Sequence, residues 1–287
     1  MPITIPYDPS RMALYSPEHR ETFFERGASY TIPQLTVEAA RLAYYRAEES
    51  AAEQARLAEA LGRVGFTDLE LFGNAERGAA AFAAIGSYGT PLLSFRGTQP
   101  DNFKAVLTDL RIRPVVWPES AGNVHEGFAL AMQAMRPQIL KWIERVNPDL
   151  SKLILTGHSL GAAMATLAAT IWRPEWLITF GSPRVGDTAF VGTVVTKNIV
   201  RFVDCCDAVT EEPPEFLGFR HVGNPTYITR AGLLVDNPDL SFIQADRRQA
   251  RIAYAVRYAW QFWRNALARD MADHAPVNYA RGLFVVM

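Results

Sequence analysis

Cysteine is almost missing: the 287 residues hold two, Cys205 and Cys206, and they are adjacent. A disulfide framework is thereby excluded. Closing the pair on itself would make a strained eight-membered ring, so it reads as two small reduced side chains beside a strand. Histidine is nearly as sparse, with five dispersed residues. No metal-ligand spacing emerges from either residue type, and no metal or cofactor is expected. Charge of one sign is also lacking, with 29 Lys+Arg against 30 Asp+Glu, so there is no basic excess for nucleic acid. No apolar run approaches the roughly 18 residues that would span a bilayer. Residues 1–8 have no positive segment followed by an apolar stretch. The expectation is therefore a cytoplasmic protein, or one exported by a route that needs no signal.

What is present is a large apolar fraction, 49% of residues, with Gly 19 and Pro 18 near average. That is enough to bury a sizeable core. No repeat or linker divides the chain, and a single domain over 1–287 is expected. Residues 1–30 look irregular, with four prolines. A helical pattern runs from 36 to 61 and is stopped by Gly62. Strand-like segments follow at 66–72, 79–87 and 92–95, punctuated by glycines. A helix is expected over 127–145, a short apolar strand over 153–156 and a helix of small residues over 161–172. Buried strands are expected at 176–180 and 198–203, a late hairpin at 225–230 and 233–235, and an amphipathic helix at 249–267. Strands alternating with helices predict an α/β fold, a mostly parallel sheet covered on both faces.

One short segment carries chemistry. Gly157-His158-Ser159-Leu160-Gly161 follows a predicted strand and opens a predicted helix. A serine hydroxyl needs exposure and a neighbouring base before it attacks a carbonyl. A tight strand-to-helix turn gives the exposure, and the close approach of strand and helix demands residues without side chains two before and two after the serine. The bare pattern arises by chance in roughly one chain in ten of this length. The strand and the Ala-rich helix on either side are what mark Ser159 as a nucleophile.

The triad of this fold class runs in the order Ser, acid, His. His19, His125 and His158 precede or adjoin Ser159, and His158 would point away from it. His221 and His274 remain. His221 runs into a strand and suits a structural role bonded to backbone. His274 lies on a loop between two helices and is preferred as the base. The acid should follow a strand beyond the nucleophile, which leaves Asp204 and Asp207 after 199–203. Asp204 is nearly continuous with that strand, so Asp207, in the loop, is preferred. Its carboxylate would hold the imidazole tautomer and stabilise imidazolium.

From about Pro91 onward the chain resembles the class 3 lipases, typified by triacylglycerol lipases of filamentous fungi, with the α/β-hydrolase fold. The resemblance rests on motifs in family order: Phe95-Arg96-Gly97-Thr98, Val124-His125-Glu126-Gly127-Phe128, the segment around Ser159, Gly181-Ser182-Pro183-Arg184-Val185-Gly186-Asp187, Asp207-Ala208-Val209 with Pro213-Pro214, His221-Val222-Gly223, and Asp273-His274. It implies that Thr98 and the backbone N–H of Leu160 bind the oxyanion. It also implies a lid over 99–108, whose Phe103, Val106 and Leu107 form a small apolar face; the same spacing fits an ordinary surface helix.

The chain departs from the secreted fungal enzymes in showing neither signal peptide nor disulfides. Its acid loop, Val209-Thr210-Glu211-Glu212-Pro213, is more acidic than the family pattern. Negative charge there would ease loss of a fatty-acid anion or shift substrate preference. The 249–267 helix looks added. Its Tyr254, Tyr258, Trp260, Phe262 and Trp263 would meet acyl chains or membrane, with Arg251, Arg257 and Arg264 toward head groups; alternatively it is a packed helix with snorkelling arginines. The resemblance implies a lipase acting on lipid esters, at a lipid–water interface. A phospholipase A1 or a short-chain or aryl esterase would use the same machinery. A binding protein with an inactive hydrolase fold is the reading from another class, and the complete Ser159, Asp207, His274 set argues against it.

Overall fold

The computed structural model describes residues 4–97, 113–261 and 265–284. Eight strands join in one sheet in the order β1-β2-β3-β6-β7-β8-β9-β10. The parallel centre is β3 (Pro91–Phe95), β6 (Ile154–His158), β7 (Trp176–Phe180), β8 (Asn198–Asp204) and β9 (Pro225–Ile228). Antiparallel strands extend both edges: β1 (Thr67–Asn74) and β2 (Ala79–Ile85) at one, β10 (Leu234–Asp236) at the other. This is the α/β-hydrolase fold. Strands 153–156 and 176–180 are apolar without alternation because helices cover both faces of the sheet. Leu155 and Leu177 enter the core on one side, while Ile154, Ile178 and Phe180 enter cores on the other.

The first face carries α4 (Glu126–Val146) and α5 (Leu160–Trp172). The small residues of α5 let it lie deep: Ala162, Ala163, Ala165, Ala168 and Ala169 are fully buried. The other face carries α2 (Ile32–Leu42) and α9 (Pro276–Leu283). In the chain order, α1 is Arg11–Tyr15, α3 Ala51–Gly62, α6 Thr188–Val191, α7 Leu240–Tyr258 and α8 Arg269–Ala272. A small antiparallel pair, β4 (Pro114–Val116) with β5 (Asn123–His125), stands apart from the main sheet.

Three expectations need correction. The helix expected over 36–61 is two helices, α2 and α3. The break falls at Arg46, which takes a left-handed conformation (φ 50°), and at extended Ser50. Neither position is Gly or Pro, so no breaker marks it. The amphipathic helix begins at Leu240, nine residues before the expected start, because Asp239 caps it by accepting from the Phe242 N–H at 2.7 Å. It runs to Tyr258, followed by a tight turn over Ala259–Gln261; Phe262, Trp263 and Arg264 lie outside the described residues. Residues 1–30, expected to be irregular, contain the short helix α1 and are tied to the rest of the fold. Arg41, paired with Glu38 at 2.7 Å and fully buried, donates to the carbonyls of Pro17, Arg20 and Glu21. The β4–β5 pair had no counterpart in the sequence reading.

Candidate active site

The sheet places three loop residues together at the C-terminal ends of its parallel strands. Ser159 sits between β6 and α5, with φ 59° and ψ −127°. A non-glycine residue in this region is strained, and the strain is maintained by its surroundings. The Ser159 N–H donates to the Phe180 carbonyl at 3.0 Å. A Cβ on Gly157 would lie 2.4 Å from the Gly161 carbonyl carbon, and one on Gly161 would lie 2.1 Å from the Phe95 oxygen. The two glycines thus let strand and helix close behind the serine.

Asp207 lies in the loop beyond β8, and His274 in the turn between α8 and α9. Both are fully buried, and Ser159 is 4% exposed. His274 Nε2 is 2.9 Å from Ser159 Oγ, and His274 Nδ1 is 2.8 Å from Asp207 Oδ2. A carboxylate only accepts, so Nδ1 carries the proton and Nε2 is free to accept from the serine hydroxyl. Gly181, with φ 57°, covers this pair; a Cβ there would lie 2.9 Å from Asp207 Oδ2 and 3.0 Å from His274 Nδ1.

The competing candidates go elsewhere. Asp204 turns one oxygen to the Cys205 N–H at 2.8 Å. Burial, with Asp273 nearby, pushes its carboxyl well above the usual range. His221 lies away from Ser159 and Asp207, its Nε2 donating to the Thr210 carbonyl at 2.9 Å. Burial, with Arg201 and Arg184 beside it, holds its ring well below the usual histidine range, hence neutral. Leu160 opens α5, so its N–H belongs to the first turn, where no helical carbonyl is available. Thr98, Phe103, Val106 and Leu107 lie outside the described residues.

Two supports escaped the sequence reading. Tyr279 on α9 donates to Asp207 Oδ2 at 2.5 Å and accepts the Asp204 N–H at 3.1 Å. Burial and Asp207 push its phenol well above the ordinary value, so it stays a donor. His158, next to Ser159, bonds to the backbone carbonyl of His274 through Nε2 at 2.8 Å. A carbonyl only accepts, so His158 Nε2 carries the proton and Nδ1 accepts from the Tyr44 hydroxyl, also at 2.8 Å. Burial, with His274 beside it, holds the His158 ring well below its usual pKa. Tyr44 and His158 thus fix the turn that carries His274. These contacts span 72 and 114 positions, and no local pattern announces them.

The acid loop is less negative than its sequence suggests. Glu211 pairs with Arg247, and Glu215 with Arg220 at 3.4 Å. Arg184 also donates to the carbonyls of Glu211 and Pro213. Cys205 and Cys206 are free and buried, with sulfurs 3.7 Å apart. Among the described residues, Cys205, Cys206 and Asp273 bring potential metal ligands within 4.8 Å. Asp273 is already occupied: Arg269 at 2.8 Å and the Tyr7 hydroxyl at 2.7 Å engage Oδ1, and the Cys206 N–H at 2.9 Å engages Oδ2. That arrangement braces the residue before His274.

A parallel-centred sheet with a positive-φ serine between strand and helix, facing a His–Asp pair, defines an α/β-hydrolase. The chain matches the family model "Lipase (class 3)" over residues 92–217. It is 33% identical over 154 residues to a Rhizomucor miehei protein named "Lipase", covering 49% of this chain and 42% of that one. It is 32% identical over 166 residues to "Secreted mono- and diacylglycerol lipase A" of Penicillium cyclopium, covering 54% and 53%. Its fold is similar to a solved Rhizomucor miehei lipase–propeptide complex, with TM-score 0.54 and 27% identity over 68% of this chain and 65% of that one. The chain thus spans about half the length of these curated relatives.

Proposed function

We propose that this protein is a lipase that hydrolyses carboxylic esters of lipids, of the triacylglycerol type, through an acyl-enzyme. The observation that carries the reading is the relay from Ser159 Oγ to His274 Nε2 at 2.9 Å and from His274 Nδ1 to Asp207 Oδ2 at 2.8 Å, mounted on a strained elbow. In this scheme Ser159 Oγ attacks the ester carbonyl while His274 takes its proton. Asp207, held by Tyr279, stabilises the imidazolium. The proton returns to the leaving alkoxide, an alcohol departs, and the acyl group stays on Ser159. His274 then takes a proton from water, which attacks the acyl carbon, and passes it to Ser159 Oγ as the acyl–oxygen bond breaks and the fatty acid leaves.

The N–H of Leu160 is our candidate for one oxyanion donor, and Thr98 for the other. Each is worth about 3–4 kcal/mol of transition-state stabilisation. Residues 99–108 are our candidate lid, with Phe103, Val106 and Leu107 as its apolar face. The joining of β1–β3 and β6–β10 in one sheet supports treating 1–287 as one catalytic domain. Relatives named mono- and diacylglycerol lipases support a glyceride substrate, and one named a phospholipase A(1) supports the phospholipid alternative.

The test is a substrate series: emulsified tri-, di- and monoacylglycerol, phosphatidylcholine, and p-nitrophenyl esters of increasing chain length. The reading expects fatty-acid release from acylglycerol emulsions to exceed that from soluble short esters. A preference for short esters, with no gain above the emulsion point, overturns the lipase reading and leaves the acyl-enzyme chemistry standing. Faster release from phosphatidylcholine reassigns the chain as a phospholipase.

A further inference from the structure

The arginines and exposed apolar residues of α7 are not used by the chemistry at Ser159. Its inner face is packed: Tyr254 is buried and donates to the Leu267 carbonyl at 2.7 Å, and Arg251 pairs with Asp270. Its outer face is bare. Ile252, Val256 and Trp260, at i, i+4 and i+8, are 58%, 81% and 64% exposed. They form one ridge along the helix and the turn that follows it, flanked by exposed Ala253, Ala255 and Ala259. From 247 to 261 the chain holds four arginines and no Asp or Glu.

A cavity of about 180 Å³ opens beside this ridge, lined by Arg230, Arg257, Arg269, Arg281, Tyr7 and Tyr258 among others. Two of its guanidiniums are neutralised, Arg230 by Asp246 at 3.2 Å and Arg269 by Asp273 at 2.8 Å. The other two lie over aromatic rings, Arg257 at 5.4 Å from the Tyr258 centroid and Arg281 at 5.5 Å from that of Tyr7. Among the described residues, neither has a carboxylate within ion-pair distance, and exposed Arg248 has none either.

We propose that the outer face of α7 and the arginine cavity beside it dock the protein on a bilayer of anionic phospholipid. Ile252, Val256 and Trp260 enter the boundary between head groups and acyl chains, and Arg257 and Arg281 take a head-group phosphate in the cavity. A helix whose exposed side combines arginines with a ridge of large apolar side chains has the character of an interfacial helix, and guanidinium recognises phosphate through paired N–H donors. A second copy of this chain is a poor occupant, because a two-fold interface would set the same unpaired arginines against one another. The proposal is independent of the reading of Ser159 as a nucleophile.

The test uses the full chain with Ser159→Ala, so that lipid is not consumed. Cosedimentation is measured with vesicles of phosphatidylcholine alone and with vesicles in which about a third of the lipid is phosphatidylglycerol. The expected result is binding to the anionic vesicles only, weakening as salt rises. The partition coefficient should fall roughly fivefold for each arginine removed, in Arg257→Gln, Arg248→Gln and Arg281→Gln. Val256→Glu, at a site exposed enough to leave the melting temperature unchanged, should abolish binding. Because Arg281 also donates to the Ala231 carbonyl, the Arg257→Gln and Arg248→Gln pair carries the test if Arg281→Gln unfolds. Binding indifferent to lipid charge or to these variants overturns the proposal. So does absence of binding, whether accompanied by a dimer that Val256→Glu dissociates or by a melting temperature that rises with inorganic phosphate alone.

Discussion

Replacing Asp207 by Asn leaves the volume of the side chain unchanged and reverses one hydrogen bond. Asp207 Oδ1 accepts from the Val209 N–H at 2.9 Å, and Oδ2 accepts from both His274 Nδ1–H and the Tyr279 hydroxyl, at 2.8 and 2.5 Å. All three partners donate, so the asparagine NH2 faces a donor wherever it points. Placed at the Oδ1 position, it opposes a backbone N–H in a buried loop. Placed at the Oδ2 position, it opposes two donors, and the imidazole relieves the clash by moving its proton to Nε2. In that tautomer His274 no longer accepts from Ser159 Oγ, and the base is lost. The loss of imidazolium stabilisation and the wrong tautomer together lower kcat by about 10^4, or about 5 kcal/mol, in triads of this kind. The assay is p-nitrophenyl butyrate hydrolysis across pH, with melting temperature measured in parallel. A near-native melting temperature and a loss of about 10^4 are expected. Retention of more than about a tenth of the activity would refute the reasoning, and a comparable loss in Asp204→Asn but not in Asp207→Asn would move the acid to Asp204.

Three further outcomes follow from the same contacts. Tyr44→Phe and His158→Gln leave buried acceptors without their donors, at about 1–2 kcal/mol each. We expect kcat to fall about 5- to 30-fold with KM nearly unchanged and Ser159 still modified by a fluorophosphonate; an unchanged kcat would make the pair purely structural. Gly181→Ala sets a Cβ 2.9 Å from Asp207 Oδ2 at a positive φ, so activity should fall at least tenfold; wild-type kinetics would mean the acid–base pair has room to move. His125 caps α4 through Nδ1, which accepts from the Gly127 N–H at 3.1 Å, and burial lowers its pKa to about 4. The unfolded chain takes a proton there below about pH 6.5 and the folded chain does not, so stability falls as pH drops from 6.5 towards 4. His125→Asn keeps a capping oxygen and removes this term. Urea titrations at pH 7.5 and 4.5 should show a smaller acid loss in the variant, by up to about 1.4 kcal/mol per pH unit; parallel losses would contradict the assignment.

The sequence was most legible where function and local geometry coincide. Gly157 and Gly161 bracket Ser159 because backbone meets backbone there, and that demand leaves a pattern within five residues. Chain order then narrowed the base to His221 and His274, and the loop after β8 separated Asp207 from Asp204. Legibility failed where a feature depends on a distant partner or a weak local signal. The left-handed turn at Arg46 has no Gly or Pro to mark it. The capping oxygen of Asp239 is a weaker signal than the apolar period, which is clearest after 249. Tyr44, His158 and Tyr279 support the triad across contacts that only the folded sheet creates. The two sides of α7 looked alike in sequence, since Tyr254 and Val256 differ by which face tertiary packing claims rather than by composition.

The most direct test of the account is covalent labelling of the purified chain by a fluorophosphonate, followed by peptide mass mapping. The account predicts one phosphonyl group per chain on Ser159, no label after Ser159→Ala, and labelling slowed by orders of magnitude after His274→Ala. No modification of the wild type, or equal modification of Ser159→Ala, would contradict it.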